Sequence, residues 1–187
     1  VRLRLPFKPA EPGAERVLEW FDGFPPYGHQ AAAFARLSSA NLGSDKPRPL
    51  PTLVTTGTGS GKTEAFLYPI LDHVLRAKRE GITGTKALIL YPMNALANDQ
   101  ARRLTELITT KAALGGVRAA LYTGQESPTR SKVTAEGLIT NREAMRDDAP
   151  DILLTNYKML DQLLLRPADQ TLWKQSATSL RYLVLDE

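Results

Sequence analysis

Short apolar runs alternate along the chain with longer stretches in which apolar residues recur at helical spacing. The apolar runs are nearly continuous, which is typical of strands that are covered on both faces of a sheet. They occupy residues 53–55, 87–91, 117–122, 152–155 and 182–185. The amphipathic stretches lie at residues 67–75, 97–108 and 160–164. This alternation of strand and helix predicts an α/β fold with a mainly parallel sheet and helices on both faces.

Two segments between these elements are predicted to be loops. Residues 41–51 are rich in Pro, Gly, Ser and Asn, and they separate an N-terminal helical segment from the first predicted strand. Residues 123–150 form a long polar connection. Because structureless connections of that length are uncommon inside a compact domain, we expect a short helix at residues 141–147.

Composition narrows the classes of protein that fit this pattern. The 187 residues suffice for one domain with a full core. The chain has no cysteine, which excludes a disulfide framework, a thiolate zinc site and a cysteine nucleophile within this segment. The net charge of +4 is a modest hint of a polyanionic partner. No apolar stretch reaches the roughly 18 residues of a membrane span, and no secretion signal is visible, so a cytoplasmic location is expected.

The most informative segment, residues 56–63, reads TGTGSGKT and lies between a predicted strand and a predicted helix. This is the context of a phosphate-binding loop, although Thr56 stands where the general pattern has glycine. The glycines allow the backbone N–H groups to turn toward phosphate oxygens, and the helix N-terminus favours negative charge. The predicted ATP-binding residues here are Thr56, Gly57, Thr58, Gly59, Ser60, Gly61, Lys62 and Thr63.

Three side chains are predicted to act in the hydrolysis of ATP bound at this loop. Lys62 brings an ammonium group to the β and γ phosphates, and the Thr63 hydroxyl is placed to ligate Mg²⁺. The last apolar run ends in Asp186 and Glu187. We expect Asp186 to hold Mg²⁺ and Glu187 to polarise the water that attacks the γ phosphate. Lys62, Asp186 and Glu187 are therefore the predicted catalytic residues, and Thr63 and Asp186 the predicted metal ligands.

The segment TGSGKTEAFLYPIL, residues 58–71, resembles the first motif of superfamily 2 helicases of the DEAD/DEAH-box type. Pro69 fits this resemblance, because the family carries a proline within this helix, so we expect the helix to continue through it with a kink. The resemblance implies a RecA-like P-loop NTPase lobe at residues 25–187, incomplete at its C-terminus within the hydrolysis motif. Residues 1–24 are then an N-terminal extension.

Further motifs of the same family follow in order. Residues 92–100, PMNALANDQ, are similar to motif Ia, the pair Thr123-Gly124 resembles motif Ib, and residues 151–160, DILLTNYKML, resemble the next strand and its loop. In the family these loops lie along the sugar-phosphate backbone of a single strand, and hydroxyls, amides and helix N-termini suit such contacts. The implied nucleic-acid contacts are Pro92, Asn94, Thr123, Gly124, Thr155 and Asn156.

Upstream, residues 26–30 read PYGHQ and resemble the adenine-reading Q motif. The amide of Gln30 can both donate to and accept from the adenine edge, and Tyr27 could stack on the base. The combination of motifs looks closest to large bacterial DEAD/DEAH-like helicases, some with a zinc-binding module and some from antiphage defence systems.

The resemblance implies the first motor lobe of an ATP-dependent helicase or translocase, with ATP and Mg²⁺ as cofactors and DNA or RNA as partner, DNA being favoured. A second RecA-like lobe of the same chain would complete the nucleotide site, and defence or repair subunits are possible partners. We therefore expect residues 1–187 alone to bind nucleotide weakly and hydrolyse little. Two alternatives stay open: a double-stranded DNA translocase of a restriction, defence or remodelling complex that does not separate strands, and a nucleotide-binding scaffold without motor activity.

Overall fold

The computed structural model describes residues 7–21, 23, 25–40, 42, 48–57 and 59–186, with Glu15 described by its backbone alone. The α-helices within these residues are α1 (Gly28–Leu37), α2 (Lys62–Arg79), α3 (Asn94–Thr110), α4 (Arg142–Asp147), α5 (Tyr157–Leu165) and α6 (Gln170–Ser176). The strands are β1 (Ala87–Tyr91), β2 (Ala119–Tyr122), β3 (Ile152–Asn156) and β4 (Tyr182–Leu185). Short 3-10 helices lie at Ala14–Val17, Ala112–Leu114 and Pro167–Asp169.

The strands form one parallel sheet in the order β2-β3-β1-β4 among the described residues. Ala87 of β1 is opposite Ile152 of β3 and Tyr182 of β4, so these strands begin level with one another. Their carboxyl ends therefore meet at one edge of the sheet. The predicted α/β fold with a parallel sheet is confirmed, and the loops after β1, β2 and β3, which carry the predicted nucleic-acid contacts, emerge at this edge.

Helices cover the sheet on both faces. On one face, a core cluster combines strand residues with residues of α4, α5 and α6: Leu88, Ala120, Tyr122, Leu153, Met145, Met159, Leu163 and Leu172. The alternating strand residues, such as Ile89, Ile152 and Leu154, are equally buried and point to the opposite face. Helix α3 contacts β1, β2 and β3, and none of its buried residues belongs to the cluster, so it packs on that opposite face.

The first predicted strand, at residues 53–55, is wrong. Residues 50–57 form no strand, and the side chain of Leu53 is 86% exposed. A run of three apolar residues becomes a buried strand only where neighbouring strands pair with its backbone and helices cover both faces. Residues 52–56 have no regular secondary structure, and together with residues of α1 they line a cavity of about 340 Å³. The phosphate loop therefore follows an irregular segment, not a strand.

Two helix predictions that were not obvious from periodicity are confirmed. Helix α2 continues through Pro69, as the family resemblance implied. The short helix expected in the long polar connection is α4, which begins after Asn141. The Oδ1 of Asn141 accepts a hydrogen bond from the N–H of Ala144 at 2.7 Å, an N-cap that compensates for the shortness of the helix.

The chain divides into two compact units, Val1–His73 and Val74–Glu187, and the boundary lies within α2. In the first unit, the indole Nε1–H of Trp20 donates to the carbonyl of Tyr68 at 3.2 Å, and the ring of Phe21 lies 4.8 Å from that of Tyr68. Residues predicted as an N-terminal extension thus contribute to the core of this unit. The predicted boundary at residues 24 and 25 stays a prediction.

In the second unit, a buried ionic cluster ties the beginnings of the strands together. The carboxylate of Asp151 accepts hydrogen bonds from Lys86 at 2.8 Å, from Lys78 at 3.1 Å and from the N–H of Arg118 at 2.8 Å. The side chains of Asp151 and Lys86 are 4% and 2% exposed.

Among the helices that the structure describes, none is both long and apolar enough to cross a membrane.

Candidate nucleotide and nucleic-acid sites

The phosphate loop has the backbone form that its glycines allow. Gly59 and Gly61 have φ angles of +77° and +75°, which lie in the left-handed region that side chains disfavour. Helix α2 begins directly after them at Lys62, and the N–H of Ala65 donates to the carbonyl of Gly61 at 3.1 Å as its first helical bond. The loop therefore turns into a helix N-terminus, an arrangement that favours anions.

Side chains of the loop bridge it internally. The ammonium of Lys62 donates to the carbonyl of Thr56 at 2.9 Å, and the hydroxyls of Thr56 and Ser60 are hydrogen-bonded to each other. Ser60 is buried, whereas Lys62 and Thr63 are half-buried. The structure thus brings Thr56, Ser60 and Lys62 together, as the loop prediction requires. The predicted residue Thr58 lies outside the described residues.

Gln30 contacts the phosphate loop directly. Its Oε1 accepts a hydrogen bond from the N–H of Tyr27 at 2.9 Å, and its Nε2 donates to the carbonyl of Gly61 at 3.2 Å. Gln30 is only 2% exposed, while Tyr27 is 38% exposed. Both ends of the Gln30 amide are therefore engaged by the chain itself, and the ring of Tyr27 is the more accessible group at the start of α1.

Sequence reasoning missed two further residues at this site, His29 and Phe7. The ring of His29 lies parallel to that of Tyr27 with centroids 5.8 Å apart, and Phe7 meets both rings at 5.4 to 5.5 Å. The N–H of Gly28 donates to the carbonyl of Lys8 at 2.9 Å, which fixes the upstream segment beside α1. The one sequence feature that could have indicated His29 was its position next to Gln30. No motif or residue spacing in the sequence indicated a role for Phe7.

In the second unit, Asp186 directly follows β4, as predicted. Its N–H donates to the carbonyl of Leu90 at 3.0 Å, and this bond extends the pairing of β4 with β1 by one residue. Burial raises the pKa of Tyr91 well above its ordinary value of 10, and the negative charge of Asp186 raises it further while Arg103 opposes the shift. The phenol beside Asp186 is thus neutral. Glu187 lies outside the described residues.

The loops after β1, β2 and β3 emerge at one edge of the sheet. Pro92 and Asn94 follow β1, Gly124 follows β2, and Asn156 ends β3. The Nδ2 of Asn156 donates to the Oδ1 of Asn94, so the structure joins two predicted nucleic-acid contacts across neighbouring loops. The Oδ1 of Asn156 accepts from the N–H of Met159 at 2.9 Å and caps α5.

The two threonines predicted at this edge are buried. The hydroxyl of Thr155 donates to the carbonyl of Tyr122 at 2.6 Å, and Thr155 has no exposed surface. Thr123 is 3% exposed. In this structure, the bond from Thr155 holds the end of β3 against that of β2, whereas Pro92, Asn94 and Gly124 are exposed.

A second group that sequence reasoning missed surrounds the end of β2. The buried carboxylate of Asp169 accepts hydrogen bonds from Arg146 at 2.7 Å and from the hydroxyl of Tyr122 at 3.0 Å. The guanidinium of Arg142 lies 4.9 Å from the centre of the Tyr122 ring. Burial, and then Asp169, raise the pKa of Tyr122. These residues come from separate segments, so no local pattern could have indicated the network.

A parallel α/β sheet, a glycine-containing loop that opens a helix, and a carboxylate at the end of a strand are the features of a P-loop NTPase. The family model described as DEAD/DEAH box helicase matches residues 28–187, and the chain belongs to this family.

Similar proteins agree with this placement. The chain is 26% identical to the Druantia protein DruE of Escherichia coli over 87% of this chain and 14% of DruE. It is 29% identical to YprA of Bacillus subtilis, named as an uncharacterized ATP-dependent helicase, over 86% of this chain and 18% of YprA. The chain thus spans less than a fifth of these relatives.

Among solved structures, the fold is similar to that of the DUF1998 helicase MrfA bound to DNA and AMPPNP. The TM-score is 0.61 at 26% sequence identity, and the match covers 95% of this chain and 21% of MrfA. The fold is therefore similar to that of a helicase whose solved structure contains DNA and AMPPNP.

Proposed function

We propose that this chain is the first motor lobe of an ATP-dependent DNA helicase or translocase. The observation that carries the proposal is the loop at the start of α2, where two left-handed glycines precede Lys62 and the helix N-terminus. Family membership and the DNA-bound structure of the similar helicase MrfA support the choice of activity and of DNA as the favoured partner.

The residues present fit ATP and Mg²⁺. A Cβ at Gly61 would clash with the Gln30 side chain, so the close approach of the loop backbone to this amide requires glycine. Lys62 would contact the β and γ phosphates, and Tyr27 offers an exposed ring for the base, with Gln30 beside it. The hydroxyl of Thr63 and the carboxylate of Asp186 are the hard oxygen ligands that Mg²⁺ prefers. Bound Mg²⁺ would supply charge neutralisation on the phosphates.

For hydrolysis, we propose that Glu187 orients and polarises the attacking water. A carboxylate beside a metal-binding aspartate is suited to this role. On the nucleic-acid side, Pro92, Asn94, Gly124 and Asn156 are proposed to contact the sugar-phosphate backbone. Thr123 and Thr155, which are buried, are proposed to support these loops from behind the exposed Pro92, Asn94 and Gly124.

Two alternatives differ in what the whole protein does with ATP. A double-stranded DNA translocase would share these motifs without separating strands, so it should be active in a triplex-displacement assay and inactive in a strand-displacement assay. A scaffold without motor activity is disfavoured, because such a protein has no need to retain Lys62, Thr63 and Asp186 in its sequence. The similarity to DruE supports testing for a role in antiphage defence, as the narrower resemblance implied.

The test of the proposed function is Lys62→Ala in the intact protein. We expect the DNA-stimulated ATPase rate to fall by at least about a hundredfold, because the ammonium stabilises charge that develops on the phosphates. Lys132→Ala, which removes an exposed lysine of the long polar connection, is the control and should keep the wild-type rate. An ATPase rate that Lys62→Ala leaves unchanged would refute the assignment.

A further inference from the structure

Two consecutive side chains at the start of α1 donate hydrogen bonds to two consecutive carbonyls of the phosphate loop. The Nε2 of His29 lies 2.8 Å from the carbonyl oxygen of Ser60, and the Nε2 of Gln30 lies 3.2 Å from that of Gly61. A carbonyl oxygen can only accept, so the Nε2 of His29 carries the hydrogen. Nothing in the loop motif itself requires a histidine at this place.

These bonds control the direction of the N–H groups that a phosphate must meet. A peptide unit is planar and trans, so its N–H points away from its C=O. The Ser60 carbonyl shares its peptide unit with the N–H of Gly61, and the Gly61 carbonyl shares its unit with the N–H of Lys62. A donor that holds the Ser60 oxygen toward α1 therefore turns the Gly61 N–H away from α1.

This restraint matters most at Gly61, because the peptide units that flank a glycine have more rotational freedom than others. The loop has left-handed glycines at positions 59 and 61, on both sides of Ser60. Without an external donor, the Ser60–Gly61 unit could rotate and present its carbonyl oxygen to a phosphate, which is repulsive. Preorganised N–H donors avoid that reorganisation when the anion binds.

The ring of His29 is itself held in place. It stacks on Tyr27 with an angle of 16° between the ring planes, and it meets the ring of Phe7 in an edge-type contact with centroids 5.5 Å apart. The donor thus has a fixed direction, in contrast to a long flexible side chain.

We propose that His29 is a positioning residue for phosphate binding, which aims the Gly61 N–H by holding the Ser60 carbonyl. The inference rests on the proposed function, since it concerns the same nucleotide site, and it adds a residue outside the glycine-lysine loop to the machinery that binds the triphosphate.

The test separates the donor from the ring in the full-length protein. His29→Phe keeps an aromatic ring and removes the donor, whereas His29→Gln keeps an N–H donor at a similar reach and removes the ring. His73→Phe is the matched control, because His73 is hydrogen-bonded to Ser39 rather than to the loop. Affinities for ATP and for inorganic tripolyphosphate, which has no base, are measured together with the melting temperature.

We expect His29→Phe to weaken both ligands about fivefold to tenfold, the loss of roughly one hydrogen bond, and His29→Gln to stay within about twofold of the wild type. Wild-type affinity of His29→Phe for tripolyphosphate would overturn the inference. So would weakened binding of ATP alone, which would make His29 a base contact, or equal losses in both variants with a lowered melting temperature. Failure of the proposed function is distinct, because the wild-type protein itself would then bind no ATP.

Discussion

Gly59 and Gly61 adopt the same left-handed backbone conformation but have different surroundings. Substituting each of them therefore distinguishes the cost of backbone strain from the cost of a steric clash. A Cβ at Gly59 would meet no atom of the described residues within 4 Å, whereas one at Gly61 would clash with the Nε2 of Gln30. We expect Gly59→Ala to lower the free energy of unfolding by about 1 to 2 kcal/mol, the cost of the left-handed conformation.

Gly61→Ala should cost more, because it adds the displacement of the buried Gln30 amide and the loss of its hydrogen bonds, worth about 1 kcal/mol or more. It should also weaken ATP binding more strongly than Gly59→Ala. Urea unfolding and ATP titration of both variants would check this, and equal effects on stability would show that the contact with Gln30 contributes nothing.

The chemistry of the phosphate loop could be predicted from the sequence. The backbone freedom of glycine, the charge of lysine and the hydroxyl of threonine are intrinsic to these residues, and the spacing of the motif indicates where each of them acts. The bonds of His29 and Gln30 to that loop could not. They join residues that are 31 positions apart, and only the packing of α1 against the loop brings the groups together. The same holds for Phe7.

Tyr91 gives a prediction for alkaline pH. Burial first, and then the charge of Asp186, raise its pKa above 10 in the folded chain. Below pH 10 the phenol is neutral in both states and stability is at its full value. Above pH 10 the unfolded chain releases the proton while the folded chain keeps it, so the free energy of unfolding falls with rising pH by up to about 1.4 kcal/mol per pH unit.

Tyr91→Phe removes this contribution, so its stability should fall less steeply than that of the wild type between about pH 10 and 11.5. Chemical denaturation of both chains at several pH values provides the comparison, and it cancels the titration of lysines that the two chains share. Parallel curves would mean that Tyr91 ionises as easily in the fold as outside it.

At the level of elements, the buried cluster at the beginning of the strands makes a strong prediction for Asp151. Asp151→Asn leaves the ammonium of Lys86 buried with no compensating charge and turns one acceptor into a donor facing other donors. We expect a loss of about 3 kcal/mol or more in the free energy of unfolding. Asp148→Asn is the control, because Asp148 pairs with Arg118 while 63% exposed, and it should cost less than about 1 kcal/mol.

The elements that the sequence predicted correctly carry long or self-contained signals. Helix α2 shows apolar periodicity over several turns and α4 has its own asparagine cap, whereas β1, β3 and β4 are continuous apolar runs. The strand prediction for residues 53–55 failed because so short a run reports only that the segment is largely apolar. Whether such a segment joins a sheet depends on partners elsewhere in the chain, which no local pattern contains.

At the level of the whole molecule, the fold class and the edge that carries the predicted nucleic-acid loops could be derived together, because parallel strands place all their carboxyl ends on one side. The sequence could not predict which residues at that edge are buried behind the loops and which of them contact a neighbouring loop. Thr155 and Asn156 are adjacent in sequence, yet Thr155 is fully buried and Asn156 reaches the neighbouring loop. Asn156 is itself only 9% exposed, and only the twist and pairing of the strands decide which neighbours each of the two side chains contacts.

The contacts of Asn156 lead to a prediction about DNA binding. Asn156 connects to Asn94 and also caps α5, so an alanine would confound the two roles. Asn156→Ser keeps a capping hydroxyl and removes the amide that reaches Asn94. In the full-length protein, we expect the affinity for single-stranded DNA to fall about fivefold to tenfold, the worth of one or two hydrogen bonds in a positioned loop.

The salt dependence of this loss tests whether the loops act as uncharged, positioning contacts. Affinity for DNA falls with salt in proportion to the number of phosphates that cations neutralise. Asparagine neutralises none, so Asn156→Ser should lower the affinity by the same factor at every salt concentration and leave the logarithmic slope unchanged. A shallower slope in the variant would mean that the Asn94–Asn156 bridge acts by orienting nearby arginines or lysines, and the edge would then bind DNA chiefly through charge.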